Sequence, residues 1–182
     1  MTPELIAACT GARIDRARLH APYITAAMVE FDINTPARQA AHLAQIGHES
    51  GGLHWMSELW GPTPQQAKYE PPSELATKLG NTKPGDGCRF KGHGWIQTTG
   101  RGNHRRVGQH FGVDFEANPE LLATPEWAAR SAGFFWASNG LNELADAGDF
   151  FTITRRINGG VNGMPLRLAL WAAAKAALRA AP

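Results

Sequence analysis

Glu49 sits in the run Gly47-His48-Glu49-Ser50-Gly51-Gly52, and Glu58 follows nine residues later. The first carboxylate lies where a helix is about to break into glycines. The second lies within the reach of one short loop. Two carboxylates facing each other across a groove are suited to cutting a glycosidic bond: one protonates the leaving oxygen, the other activates water on the opposite face. That chemistry needs environments that push the two groups toward opposite protonation states.

The surrounding pattern supplies such a difference. Thr35 is a good helix N-cap and Pro36 fits the first helical position. Leu43 and Ile46 share one face, while Ala37, Ala40, Ala41, Ala44 and Gly47 form a small-residue face that permits close packing. Gly51-Gly52 stops the helix. Glu49 extends the Leu43-Ile46 stripe into the last turn, where a carboxylate loses hydration and favours its proton-bearing form. Glu58, beyond the glycine break in Met56-Ser57-Glu58-Leu59-Trp60, suits the base. Glu70 and Glu74 remain alternative bases.

Other segments frame this pair. Pro3 to Cys9 and Pro22 to Phe31 read as short helices. Residues 61–88 read mostly as loop, with a short helix near Ser73 to Leu79. Residues 89–99 read as extended chain, with Gly92 and Gly94 marking bends or close approach. Helices follow from about Gly102 to Phe111, from Thr124-Pro125-Glu126 to Asn139-Gly140, from about Asp149 to Ile157 before Asn158-Gly159-Gly160, and from Pro165 to Ala180. In that last helix Arg167, Lys175 and Arg179 stand among Ala and Leu, the pattern of a packing helix. Gln97, Thr98 and Thr99 offer amide and hydroxyl groups suited to a sugar or a water. Asn158 is either a helix C-terminus or a groove amide.

Several function classes are excluded or disfavoured. His48-Glu49 lacks the second histidine of a His-Glu-x-x-His zinc motif, and no cysteine pair has zinc spacing. No metal or cofactor is expected. A net charge of +2, without a basic run interleaved with aromatics, falls short of a nucleic-acid footprint but would help approach to an anionic cell wall. Cys9 and Cys88 make no disulfide framework and are expected reduced. No stretch of 18 apolar residues exists, so stable membrane insertion is not expected. The N-terminus lacks the pattern of a secretion signal. With 182 residues, 43% hydrophobic, the chain is expected to fold as one domain with a solid core.

Four segments together resemble the family 19 glycoside hydrolases, in particular their short phage and prophage endolysins. They are His48-Glu49-Ser50-Gly51-Gly52, the run from Phe90 to Asn103 containing Gly92-His93-Gly94-Trp95-Ile96-Gln97-Thr98-Thr99-Gly100-Arg101-Gly102, the Phe134-Phe135-Trp136 helix, and Ile157-Asn158-Gly159-Gly160. The resemblance spans about residues 35–170 in the family's order. It implies a mainly α, lysozyme-like fold of two helical lobes flanking a substrate groove, with one small β-hairpin element. It implies inverting hydrolysis of β-1,4 links to N-acetylglucosamine or N-acetylmuramic acid. Glu49 matches the general acid and Glu58 the second carboxylate. Gln97 and Thr99 match groups that hold substrate or the attacking water, and Asn158 a groove asparagine. His48 and Trp95, inside the same motifs, are expected to contact substrate with them. One departure is Gly92-His93-Gly94, where the family usually reads Gly-Arg-Gly. The Glu49-to-Glu58 spacing is also shorter than in the plant chitinases.

The expectation is therefore a peptidoglycan-degrading endolysin. Residues 1–182 would be a single catalytic domain without a wall-binding domain, acting as a monomer. It would wait in the host cytoplasm until a holin-type pore releases it to the wall. Three alternatives stay open: a family 19 chitinase, a lytic transglycosylase needing only Glu49, and a non-catalytic wall-binding or phage structural protein.

Overall fold

A computed structural model describes residues 1–181. It is mainly helical, with elements α1 (Pro3–Thr10), α2 (Ile14–Glu30), α3 (Pro36–Glu49), α4 (Pro64–Ala67), α5 (Glu74–Lys78), α6 (Asp86–Arg89), α7 (Arg101–Phe111), a 3₁₀ turn (Pro119–Ala123), α8 (Pro125–Ser138), α9 (Leu141–Asp146), α10 (Phe150–Asn158) and α11 (Met164–Ala180). The chain forms two compact units. One comprises Met1–Trp55 together with the chain from Ala132 onward, the other Met56–Ser131. No helix among the described residues is long and apolar enough to cross a membrane.

The first unit is built on α3. Residues 40–47 are all buried, so α3 is a core helix enclosed chiefly by α1, α9 and α11. The small-residue face explains the closeness: a Cβ on Gly47 would lie 2.4 Å from the Thr10 carbonyl oxygen. Leu43 and Ile46 are fully buried with Ile6, Trp136, Leu141 and Ile153. His42 also lies in this core, edge-on to the Trp136 ring, and burial pushes its pKa down to about 3. The Trp136 indole N–H donates to Asn142 Oδ1 at 2.9 Å, and the Asn142 amide donates to the Phe31 carbonyl at 3.0 Å. The Trp136 N–H and the Asn142 amide are thereby partnered, whereas neither ring nitrogen of His42 has a hydrogen-bond partner among the described residues.

Thr35 caps α3 as its sequence foretells, accepting from the Arg38 N–H at 3.2 Å. α2 departs from expectation. It starts at Ile14 rather than near Pro22, and Pro22 sits inside it. Pro22 is exposed, whereas Ala17, His20, Ala21, Ile24, Ala27 and Met28 form one continuous buried stripe. Burial of that stripe on both sides of the proline outweighs the lost backbone hydrogen bond.

The second unit packs Phe90, Trp95, Phe115, Leu122 and Ala128 at its centre. Arg101 organises its polar side. Its guanidinium meets Asp86 at 2.5 Å and Glu116 at 3.3 Å, and Glu116 also meets Arg105 at 2.6 Å. The Arg101 hydrogen bond, with N–H groups from Thr82 and Lys83, holds the Asp86 carboxyl down at about 2. Two short helices, α4 and α6, occupy a segment read as loop. The expected extended chain over 89–99 is smaller than anticipated: only the antiparallel bridges Ser57 to His93 and His93 to Thr98 form. Residues 94–97 turn sharply between them, with Gly94 at φ 82° and Gln97 at φ 52°, so the run closes as a tight hairpin.

Candidate active site

Glu49 is the last residue of α3. Ser50 caps the helix end, its hydroxyl donating to the Ile46 carbonyl at 2.6 Å and accepting from the Leu53 N–H at 2.7 Å. Gly51, Gly52 and Leu53 then take successive left-handed conformations. Leu53 is a fully buried non-glycine residue in that region, so the chain stores strain next to Glu49.

The Glu49 side chain is 17% exposed, and its Oε1 accepts from Nη2 of Arg167, which is wholly buried. Arg167 is fully committed. Its Nε donates to the Asn162 carbonyl at 3.0 Å and its Nη1 donates to Gln45 Oε1. The Gln45 amide donates to Thr154 Oγ1 at 2.8 Å, and that hydroxyl donates to the Phe150 carbonyl at 3.0 Å. A buried polar chain thus runs from α10 through α3 to α11 and ends on the Glu49 carboxylate. The apolar stripe of α3 signals the burial of Glu49 but not its cation, so the carboxylate is ion-paired rather than simply desolvated as the stripe alone would have it.

His48 lies beside this pair. Burial lowers its pKa; Arg167 adds to the effect and Glu49 opposes it. A Cβ at Gly163 would come within 2.2 Å of His48 Nε2, so the imidazole rests directly on the glycine backbone. Asn158 ends α10 with its side chain exposed, and Gly159 takes the left-handed cap.

In the second unit Glu58 is half-buried and tied to the 92–100 hairpin. The Glu58 N–H donates to the Gly92 carbonyl at 2.7 Å, and the Gly92 N–H returns a bond to Glu58 Oε2 at 3.0 Å. Glu58 Oε1 accepts from Gln66 Nε2 at 2.9 Å. The alternative carboxylates are engaged elsewhere. Glu70 accepts from the N–H groups of Gly85 and Cys88 at the start of α6, and exposed Glu74 pairs with Lys78 at 2.7 Å.

Gln97 folds back over the same hairpin, its amide donating to the Gly94 carbonyl at 3.0 Å. The Thr99 hydroxyl donates to the Gln97 carbonyl at 3.2 Å, and the Thr99 carbonyl accepts from Asn103 at 2.8 Å. Gly92 makes the Gln97 position possible: a Cβ there would lie 1.9 Å from Gln97 Oε1. We therefore expect Gly92→Ala to displace the Gln97 side chain while leaving the fold intact. Kinetics on the double variant with Gln97→Ala would show a clearly non-additive loss, as expected of residues in contact.

Trp95 is not where the motif reading places it. It is 0% exposed and belongs to the core of the second unit, so it offers substrate no surface. His93, standing where an arginine is usual, is also buried. Its Nδ1 lies 3.0 Å from His104 Nε2, and His104 Nδ1 lies 2.9 Å from the Gly100 carbonyl. The carbonyl can only accept, so His104 carries its proton on Nδ1 and accepts from His93 through Nε2. Burial holds both imidazoles down at about 4, with Lys91 and His104 also disfavouring charge on His93. The Gly100 carbonyl and Glu116 partly counter burial at His104.

Two neutral histidines in the fold mean that the unfolded chain, with its ordinary histidine pKa of 6.5, binds more protons as pH falls. Stability is then full above about pH 6.5 and declines toward pH 4. Melting temperatures measured from pH 7 to pH 4.5 should show this decline, and His93→Gln/His104→Gln should make it shallower, leaving the part that buried His42 contributes.

Sequence reasoning overlooked Arg167, Gln45 and Gln66. Only Gln66 carried a local signal, the Thr63-Pro64-Gln65-Gln66 capping pattern inside a segment read as loop.

This mainly helical fold and its relatives define a glycoside hydrolase. A Haemophilus influenzae protein described as a glycosyl hydrolase family 19 domain-containing protein is 35% identical over 159 residues, covering 75% of this chain and 78% of that protein. The chain belongs to glycosyl hydrolase family 19. An endochitinase of Arabidopsis thaliana is 34% identical over 122 residues, and the chain spans 38% of that protein's length. No family model matches. Among solved structures, chitinase C from Streptomyces griseus HUT6037 superposes with a TM-score of 0.71 at 18% identity, covering 98% of this chain and 76% of that one. A bacterial family 19 chitinase superposes with a TM-score of 0.71 at 20% identity, covering 100% of this chain and 96% of that one. The fold is the lysozyme-like fold of the family 19 chitinases.

Proposed function

We propose that this family 19 enzyme hydrolyses the β-1,4 bonds of peptidoglycan between N-acetylmuramic acid and N-acetylglucosamine, as a phage-type lytic enzyme. In this reading Glu49 donates the proton to the leaving oxygen and Glu58 activates the water. Gln97, Thr99, Asn158 and His48 hold the reactants. The observation that carries the reading is the match to a family 19 glycosyl hydrolase over most of both chains, within which Glu49 and Glu58 are two carboxylates held by different partners. Glu49 ends α3, and the buried Arg167 guanidinium donates to it. Glu58 receives neutral N–H donors from Gln66 and Gly92 on opposite oxygens.

The wall as substrate is supported by the chain's net positive charge, which favours approach to an anionic polymer. The enzyme would work as a monomeric single catalytic domain, held in the host cytoplasm and let out through a holin-type pore. Chitin is the second reading, favoured by the plant endochitinases among the relatives.

Digestion of purified Gram-negative peptidoglycan and of colloidal chitin, followed by mass analysis, decides between them. Reducing muropeptides are expected from the wild type. Chitin oligomers without muropeptides would move the assignment to a chitinase. Anhydro ends would point to a transglycosylase, and no product from either polymer to a binding protein.

A further inference from the structure

Gln66 is 4% exposed, and its amide has no spare capacity. Oε1 accepts from the N–H groups of Gly61 at 3.2 Å and Thr63 at 2.8 Å. Nε2 donates to Glu58 Oε1 at 2.9 Å and to the Leu59 carbonyl at 2.7 Å. A side-chain amide has two acceptor and two donor positions, and all four are used. The orientation is therefore unique. A flipped amide would set its oxygen against a carboxylate and a carbonyl, and its NH₂ against two N–H groups.

The amide is held from its other end as well. Thr63 Oγ1 accepts from the Gln66 N–H at 3.2 Å, which completes a capping box on α4. This four-residue helix therefore presents one rigid donor to one carboxylate oxygen. The second oxygen is fixed by the Gly92 N–H. The Tyr69 hydroxyl faces the same carboxylate, and burial with that charge raises its pKa, so it stays a donor.

We propose that Gln66 is a positioning residue for catalysis: it locks the Glu58 carboxylate in the single orientation from which it activates water. This inference rests on the reading of Glu58 as the base. Gln66 does not touch substrate; it acts through Glu58 by removing that side chain's rotamer freedom and fixing the direction of one carboxylate oxygen.

The test uses Gln66→Glu, which keeps an oxygen for the Gly61 and Thr63 N–H groups but replaces the donor with a second carboxyl beside Glu58. The pH dependence of kcat/KM is measured on solubilised peptidoglycan and on an N-acetylglucosamine hexamer, alongside melting temperatures. Two carboxyls within hydrogen-bond distance resist joint ionisation, so the acidic limb of the profile should move up by about one pH unit or more. Gln66→Asn adds no charge but withdraws the donor by one methylene; it carries the test if the first variant does not fold. It should lower kcat by roughly tenfold with KM nearly unchanged.

Glu58→Gln is run in parallel. If it leaves activity intact, the assignment of the base fails whatever Gln66 does. If Glu58→Gln is inactive but Gln66→Glu keeps the wild-type acidic limb, the positioning role is overturned. A lower melting temperature with kcat and pH profile unchanged would mark Gln66 as structural only and would equally overturn it.

Discussion

Glu49→Gln is expected to lower turnover by about 100- to 10,000-fold, the usual range for loss of a general acid. The amide cannot donate a proton to a glycosidic oxygen but keeps an acceptor for Arg167, so the polar chain from Gln45 to residue 49 can persist. Circular dichroism should therefore show a folded protein, and binding to insoluble wall should survive while products vanish. Undiminished product formation would remove Glu49 from the mechanism.

The second large effect is on stability. Arg167 is wholly buried and serves three acceptors: the Asn162 carbonyl, Gln45 and Glu49. Arg167→Ala would leave the Gln45 oxygen and the Glu49 carboxylate without their donor in a low-dielectric setting. Breaking a buried pair by removing one partner typically costs about 3–5 kcal/mol, a large share of a small protein's stability. Arg167→Lys should recover only part of this, because one ammonium on a flexible stem cannot reproduce the fixed fork of a guanidinium. Urea denaturation measures both variants. A loss below about 1 kcal/mol for the alanine variant would mean that the pair behaves like an exposed surface bridge.

How far the sequence disclosed this molecule depends on the range of each interaction. Thr35-Pro36 and Gly51-Gly52 bound α3 by local chemistry, and the start and stop of that helix follow from adjacent residues. The small-residue face of α3 likewise encodes its burial. Pro22 misleads because its penalty is local, whereas the buried stripe that overrides it is tertiary. Trp95 misleads for a related reason. Its motif gives its place in the chain, but only the packed second unit shows that the ring points into the core.

The candidate site divides in the same way. Glu49 and Glu58 stand out by type and spacing. Arg167 lies 118 residues from Glu49 and looks like any cation on an Ala-rich helix. No local pattern distinguishes it from Lys175 or Arg179. Gln66 is intermediate, since a capping pattern marked its helix while its bond to Glu58 emerges only when the 61–70 segment folds back.

The most direct test of the central claim, inverting hydrolysis by two carboxylates, is the anomeric state of the first product. Proton NMR of a fresh digest, taken before mutarotation, reads it from the anomeric signal at the newly released reducing end. Cleavage of a β-1,4 bond by water attacking from the opposite face predicts that the α-anomer appears first and decays toward equilibrium. A β-anomer appearing first, or a 1,6-anhydro end in its place, would contradict the account.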